Sequence, residues 1–189
     1  METVERAPAI VNWTRRVEQT TALDRPVKAV EPWIRGWFGS GTRGALLRGD
    51  WLGHALHPVL TDAAVGTWVS ATMLDLLGGE EMAPAAQRLI GIGLLSAGPT
   101  AWTGWAEWST AGPREKRVGL VHAVTNGVAI GTYAASWIAR RRGRHGTGRR
   151  LALAGTSVAG VGAYLGGHLA AARKVGSHHP AYDAAPAEV

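Results

Sequence analysis

Four runs along the chain are apolar and nearly free of charge: Pro58 to Gly78, Pro84 to about Trp108, Val118 to Ile138 and Leu151 to Ala172. The first holds only Asp62 and Asp75 as ionisable residues, and a helix of its length reaches roughly 31 Å, one hydrocarbon thickness. A soluble amphipathic helix shows a charged face every three or four residues. The third run, "VGLVHAVTNGVAIGTYAASWI", contains no Lys, Arg, Asp or Glu, so its all-round apolar character predicts a membrane span. Gly98 and Pro99 interrupt the second run and predict a kink. Short loops between runs predict antiparallel neighbours. The pattern therefore predicts an all-α fold, an antiparallel four-helix transmembrane bundle passing several times through the cell membrane. A soluble four-helix bundle is the rival, because the runs are rich in Ala and Gly and the mean hydropathy is only −0.01.

The other segments differ in kind. Residues 1–50 are polar and carry Pro8, Pro26 and Pro32, which break any long helix; a tail or surface segment is expected there. Within it, "PWIRGWFGSGTRGALLRGDW" mixes tryptophans with arginines, the composition of a stretch lying along a membrane interface and contacting lipid. Residues 51–176 form the four-helix domain and 177–189 a C-terminal tail. His178 and His179 in that tail suit at most adventitious metal. The N-terminus lacks the continuous apolar core of a cleavable signal.

Charge and cysteine count narrow the chemistry. The chain has 20 basic and 14 acidic residues, densest in "RRRGRHGTGRR", with no aromatic interleaved to stack a base. That loop reads as membrane-flanking charge, and no nucleic-acid partner is expected. The loop argues for an outside location of both termini, whereas Arg35, Arg43 and Arg48 ahead of the first span argue for cytoplasmic termini, the preferred orientation. No cysteine is present, which excludes an iron–sulfur cluster and covalent haem attachment within this chain. "GVGAYLGG" lacks the spacing and the preceding strand of a phosphate loop. Nothing has the spacing of a hydrolase nucleophile, base and orienting group.

Antiparallel order brings one set of helix ends to a single side of the membrane. His57 and Asp62 sit at the first of these ends, Glu107 at the second, His122 and Asn126 at the third, His168 at the fourth. All four helices thus supply polar groups to one level. Such groups inside a span are costly and face the bundle interior or water. Asn126, four residues beyond His122, shares its face. At the opposite end Asp75 and Arg88 are expected to pair across a short loop.

The segments "LRGDWLGHALHPVLTDAAVGTWVSATMLDLLGG", "GWAEW", "RVGLVHAVTN" and "YLGGHLAAARKVG" resemble, in the same order, an uncharacterised family of four-helix bacterial membrane proteins. Some of its members are joined to a Rieske-type iron–sulfur domain. The likeness covers Leu47 to Gly176, and its motif positions here are His54, His57, Asp62, Trp105, His122, Asn126, Gly166, Gly167 and His168. Ala55 departs from the pattern, in "GHALHP" where "GHPLHP" is expected. The resemblance implies an electron-transfer setting with an iron–sulfur or other redox partner.

Three functional readings follow. In the first, a membrane redox subunit binds haem b with His122 and His168 as axial ligands, Asn126 and Trp105 beside them, and Arg117 and Arg173 meeting the propionates. In the second, His54, His57, Asp62, His122 and His168 hold a non-haem transition metal or handle protons. In the third, the chain is a structural membrane subunit without cofactor.

Overall fold

The structure, a computed structural model, describes residues 7–176; His178 and His179 lie outside the described residues. Every described element is helical: α1 (Ala9–Gln19), α2 (Asp24–Ile34), α3 (Gly41–Arg48), α4 (Leu56–Leu77), α5 (Ala83–Thr110), α6 (Pro113–Arg141) and α7 (His145–Gly167). A π-helical turn, Arg35–Gly39, joins α2 to α3, and a second, His168–Ala172, follows α7.

Helices α4 to α7 form the bundle. Each packs on its neighbours in the order α4, α5, α6, α7 and back to α4, so α4 and α6 face each other across a diagonal. Pro99 lies inside α5 without ending it, because the packed neighbours hold the helix together around the missing hydrogen bond. Among the described residues, only α6 is long and apolar enough by composition to qualify as a membrane span. All four helices nonetheless expose large apolar side chains, among them Val59, Val69, Met73, Leu95, Trp102, Val124, Val128 and Val161.

The bundle is an internal repeat. "HPVLTDAAVGTW" at 57–68 matches "HAVTNGVAIGTY" at 122–133, and "RLIGIGLLSAGPTAWTG" at 88–104 matches "RLALAGTSVAGVGAYLG" at 150–166. The hairpin α4–α5 therefore corresponds to the hairpin α6–α7, and an approximate twofold axis along the bundle exchanges them, as in membrane folds built from parallel repeats. Three residues of α4 meet their own counterparts across this axis. His57 faces His122 with ring centroids 6.5 Å apart, Trp68 stacks on Tyr133 at 4.3 Å and 15°, and Asp75 forms a two-pronged ion pair with Arg140. The steps along α4, eleven residues and then seven, are close to three and two helical turns, so all three point inward from one face. Gly93 sits under the Trp68 indole, and its repeat mate Gly155 under Tyr133. The core gathers around this stack, with Ala71, Ala86, Ile90 and Ala152 buried.

Asp75 thus pairs with Arg140 and not with Arg88, correcting the expectation of a contact across the nearest loop. Helix α4 turns the Asp75 side chain toward the axis, where it is 5% exposed and Arg140 1%.

Residues 9–52 are ordered on the surface of the bundle. The segment folds into a collar of α1, α2 and α3 that packs on α5 and α6. Pro26 occupies the first turn of α2, where proline is tolerated, and Pro32 lies in its last turn. Thr14, Glu18 and Val27 face inward and are buried.

Asp75→Ala leaves a guanidinium unpaired in the interior and is expected to cost about 3–5 kcal/mol. The double variant Asp75→Leu, Arg140→Met leaves no orphaned charge and should lose much less. Unfolding of the detergent-solubilised protein in denaturant measures both.

Candidate cofactor site

His57 and His122 come from corresponding positions of the two hairpins and are held in the same way. The His57 Nδ1–H donates to the Thr100 carbonyl on α5 at 2.9 Å, and the His122 Nδ1–H donates to the Gly162 carbonyl on α7 at 2.9 Å. Thr100 and Gly162 are themselves repeat mates. A carbonyl can only accept, so Nδ1 carries the hydrogen and, in the neutral ring, Nε2 carries the lone pair. A second-position hydrogen bond of this kind is what orients imidazoles that ligate metals.

Glycine makes room for each ring. A Cβ at Gly104 would lie 2.8 Å from His57 Cε1, and one at Gly166, its repeat mate, 2.9 Å from His122 Cε1. Each imidazole therefore rests against the backbone of the neighbouring helix.

The two rings line one cavity of about 340 Å³, together with Trp68, Trp105, Trp108, Glu107, Asn126 and several Ala and Gly residues of all four bundle helices. Its volume falls in the range of small-molecule sites, which join an apolar wall to a few placed polar groups. Asn126 Nδ2 donates to His122 Nε2 at 3.0 Å. Glu107 is 8% exposed, and its Oε1 has no hydrogen-bond partner among the described residues. No Lys or Arg lines the cavity.

Other residues expected at this site lie elsewhere. His168 turns away from His122: its Nε2 is 2.6 Å from Glu18 Oε1, on the collar. Arg173 grips the same carboxylate through two nitrogens. Arg117 donates to both Asp24 oxygens, at 2.6 and 3.0 Å, and to the Glu18 carbonyl at 2.7 Å. The sequence contains no marker for these contacts other than the acids themselves, because they depend on how the collar docks. Asp62 is exposed on α4 and His54 is exposed just ahead of it; neither lines the cavity. Among the described residues no group of three His, Asp or Glu is arranged to hold a metal ion. Sequence reasoning missed Thr100 and Gly162 as partners of the two rings, and the repeat was the signal that pointed to them.

The collar joint has its own electrostatics. Burial works against ionisation of Glu18, but hydrogen bonds from Arg173 and His168 outweigh it and hold the carboxyl below its ordinary value of 4.5. Asp24 is likewise held low by the Arg117 guanidinium.

The chain belongs to the family described as Predicted membrane protein (DUF2231), whose model matches residues 53–179 and so takes in all of α4 to α7. No curated protein and no solved structure matches the chain.

Two outcomes test this geometry. Gly166→Ala should push the His122 ring off its carbonyl and destabilise the protein by about 1–3 kcal/mol, seen as a lower unfolding midpoint. Glu18 has a lower pKa in the folded state than in the unfolded, so the stability it contributes is present above about pH 4.5 and is lost as pH falls further, through its folded value. Amide exchange in α1 should accelerate on that acid limb. Glu18→Gln should remove the acid-dependent part of the change.

Proposed function

We propose that this member of the family is a multi-pass membrane redox module that holds a b-type haem between His57 and His122. The bilayer placement of all four bundle helices is supported by the large apolar side chains that each exposes: in water such positions are mostly polar, and in lipid they need no partner. His57, Asp75, His122 and Arg140 are turned to the axis, where each has a hydrogen-bond partner.

The observation that carries the haem assignment is the pair of facing imidazoles, each fixed through Nδ1, with centroids 6.5 Å apart. Each ring has Nε2 left with a lone pair, the donor through which imidazole would hold a transition metal. Two imidazoles form an incomplete set for a bare ion, and no third ligand is gathered here. They would suffice to hold a haem, whose porphyrin would supply the other ligands of its iron; the His122 Nε2 would give up the hydrogen bond it accepts from Asn126 to do so. The bundle offers a mainly apolar cavity lined by several Ala and Gly residues, as cofactor-holding bundles do.

When bound, the haem would supply reversible one-electron transfer. The chain's own part is to orient the two imidazoles, through Thr100 and Gly162, and to keep bulk water from the site with Trp68, Trp105 and Trp108. His168, Arg117 and Arg173 have no part in this reading, since all three serve the collar. An iron–sulfur protein or another one-electron carrier is the redox partner it implies.

Detergent-purified full-length protein from haem-replete cells should show a Soret band. His57→Ala and His122→Ala should each abolish it, and His168→Ala should leave it in place. A colourless protein carrying stoichiometric metal would transfer the site to a bare ion, and loss of the band only in His168→Ala would restore the His122–His168 pairing.

A further inference from the structure

The collar carries four carboxylates, and each one is consumed by an ion pair. Glu18 binds Arg173, Asp24 binds Arg117, Glu31 binds Lys116 and Arg35, and Asp50 binds Arg48. Three of these acids thus neutralise cations of the bundle end. On α2 the spacing is helical: Asp24, Val27 and Glu31 face the bundle, which turns Arg25, Lys28 and Trp33 outward. Arg15, Arg16, Arg25 and Arg43 are exposed with no carboxylate partner among the described residues, and exposed Lys28 has only Asp24 nearby, a carboxylate already held by Arg117. The outer face therefore keeps its positive charge while the inner face spends its negative charge.

Between these cations stand large apolar side chains. Trp33 is 71% exposed, Trp37 61% and Trp51 65%, and the Arg43 guanidinium lies 6.0 Å from the Trp37 ring. Pro32, Trp33, Gly36 and Trp37 frame a shallow groove. Indoles beside arginines at the end of an apolar bundle match the headgroup layer of a membrane, where the ring sits at the interface and the cation meets phosphate.

We propose that the outer face of the collar is a docking surface for anionic phospholipid headgroups, centred on Arg25, Lys28, Trp33, Trp37 and Arg43. It gives the protein a second lipid contact, distinct from the bundle's apolar sides, and holds the collar down over the end of the bundle that carries the histidine pair. Charge complementarity selects the occupant: the surface is positive and apolar, and an anionic bilayer surface offers both partners. This inference needs a membrane location and not a bound haem.

The test uses full-length protein in nanodiscs of phosphatidylcholine, with and without phosphatidylglycerol, and reads amide exchange over residues 24–48. Exchange should slow in the anionic discs and recover at high salt, while α4 to α7 remain unchanged. Each basic side chain at an anionic surface is worth about a fivefold change in partitioning, so Arg25→Gln, Lys28→Gln, Arg43→Gln together should weaken the response roughly a hundredfold. These variants leave the collar's ion pairs to the bundle intact, and an unchanged unfolding midpoint confirms that the fold persists. Equal exchange in both kinds of disc would overturn the proposal. So would protection conferred by an added RNA oligonucleotide with no response to lipid charge.

Discussion

A polar side chain inside an apolar bundle must find its partner within the bundle, and here most of that pairing runs across or beside one axis. His57 and His122, Trp68 and Tyr133, Asp75 and Arg140 are repeat mates meeting on the approximate twofold. Because a twofold axis brings equivalent positions together, any residue of α4 that faces the axis meets its counterpart from α6. The rest of the site follows from this. The carbonyls that fix the two rings, Thr100 and Gly162, and the glycines that seat them, Gly104 and Gly166, are also related by the repeat.

The symmetry is broken where the two halves do different things. Asp75 and Arg140 occupy equivalent positions with opposite charge, so a pairing that would be repulsive between identical residues becomes attractive. Thr61 corresponds to Asn126, and only Asn126 reaches an imidazole. Glu107 corresponds to Leu169, and both line the cavity. One wall therefore carries a carboxyl group, one oxygen of which has no hydrogen-bond partner among the described residues, where the other carries a leucine.

Much of the bundle was legible in the sequence, because four long, nearly uncharged runs joined by short loops predict four packed helices. Depth was legible too: His57, Glu107, His122, Asn126 and His168 do occupy the same end of the bundle. Rotation about each helix axis was not, and it decides which groups meet. The repeat contains that information. His122 aligns with His57, whereas His168 aligns with Ala106, a position of no special polarity. The collar was hidden for a different reason. Its helices are short, α2 carries two prolines, and the collar's acids dock onto Lys116, Arg117, His168 and Arg173; a pairing between such distant charges leaves no pattern in the sequence.

The account's central claim is that the repeat places His57 and His122 face to face on the axis. The chain contains no cysteine, so a pair introduced at these two positions is the only one present. In native membranes, His57→Cys with His122→Cys should be joined within the monomer by a short bifunctional thiol reagent, and His122→Cys with His168→Cys should not. Efficient joining of the second pair, with none of the first, would contradict the account.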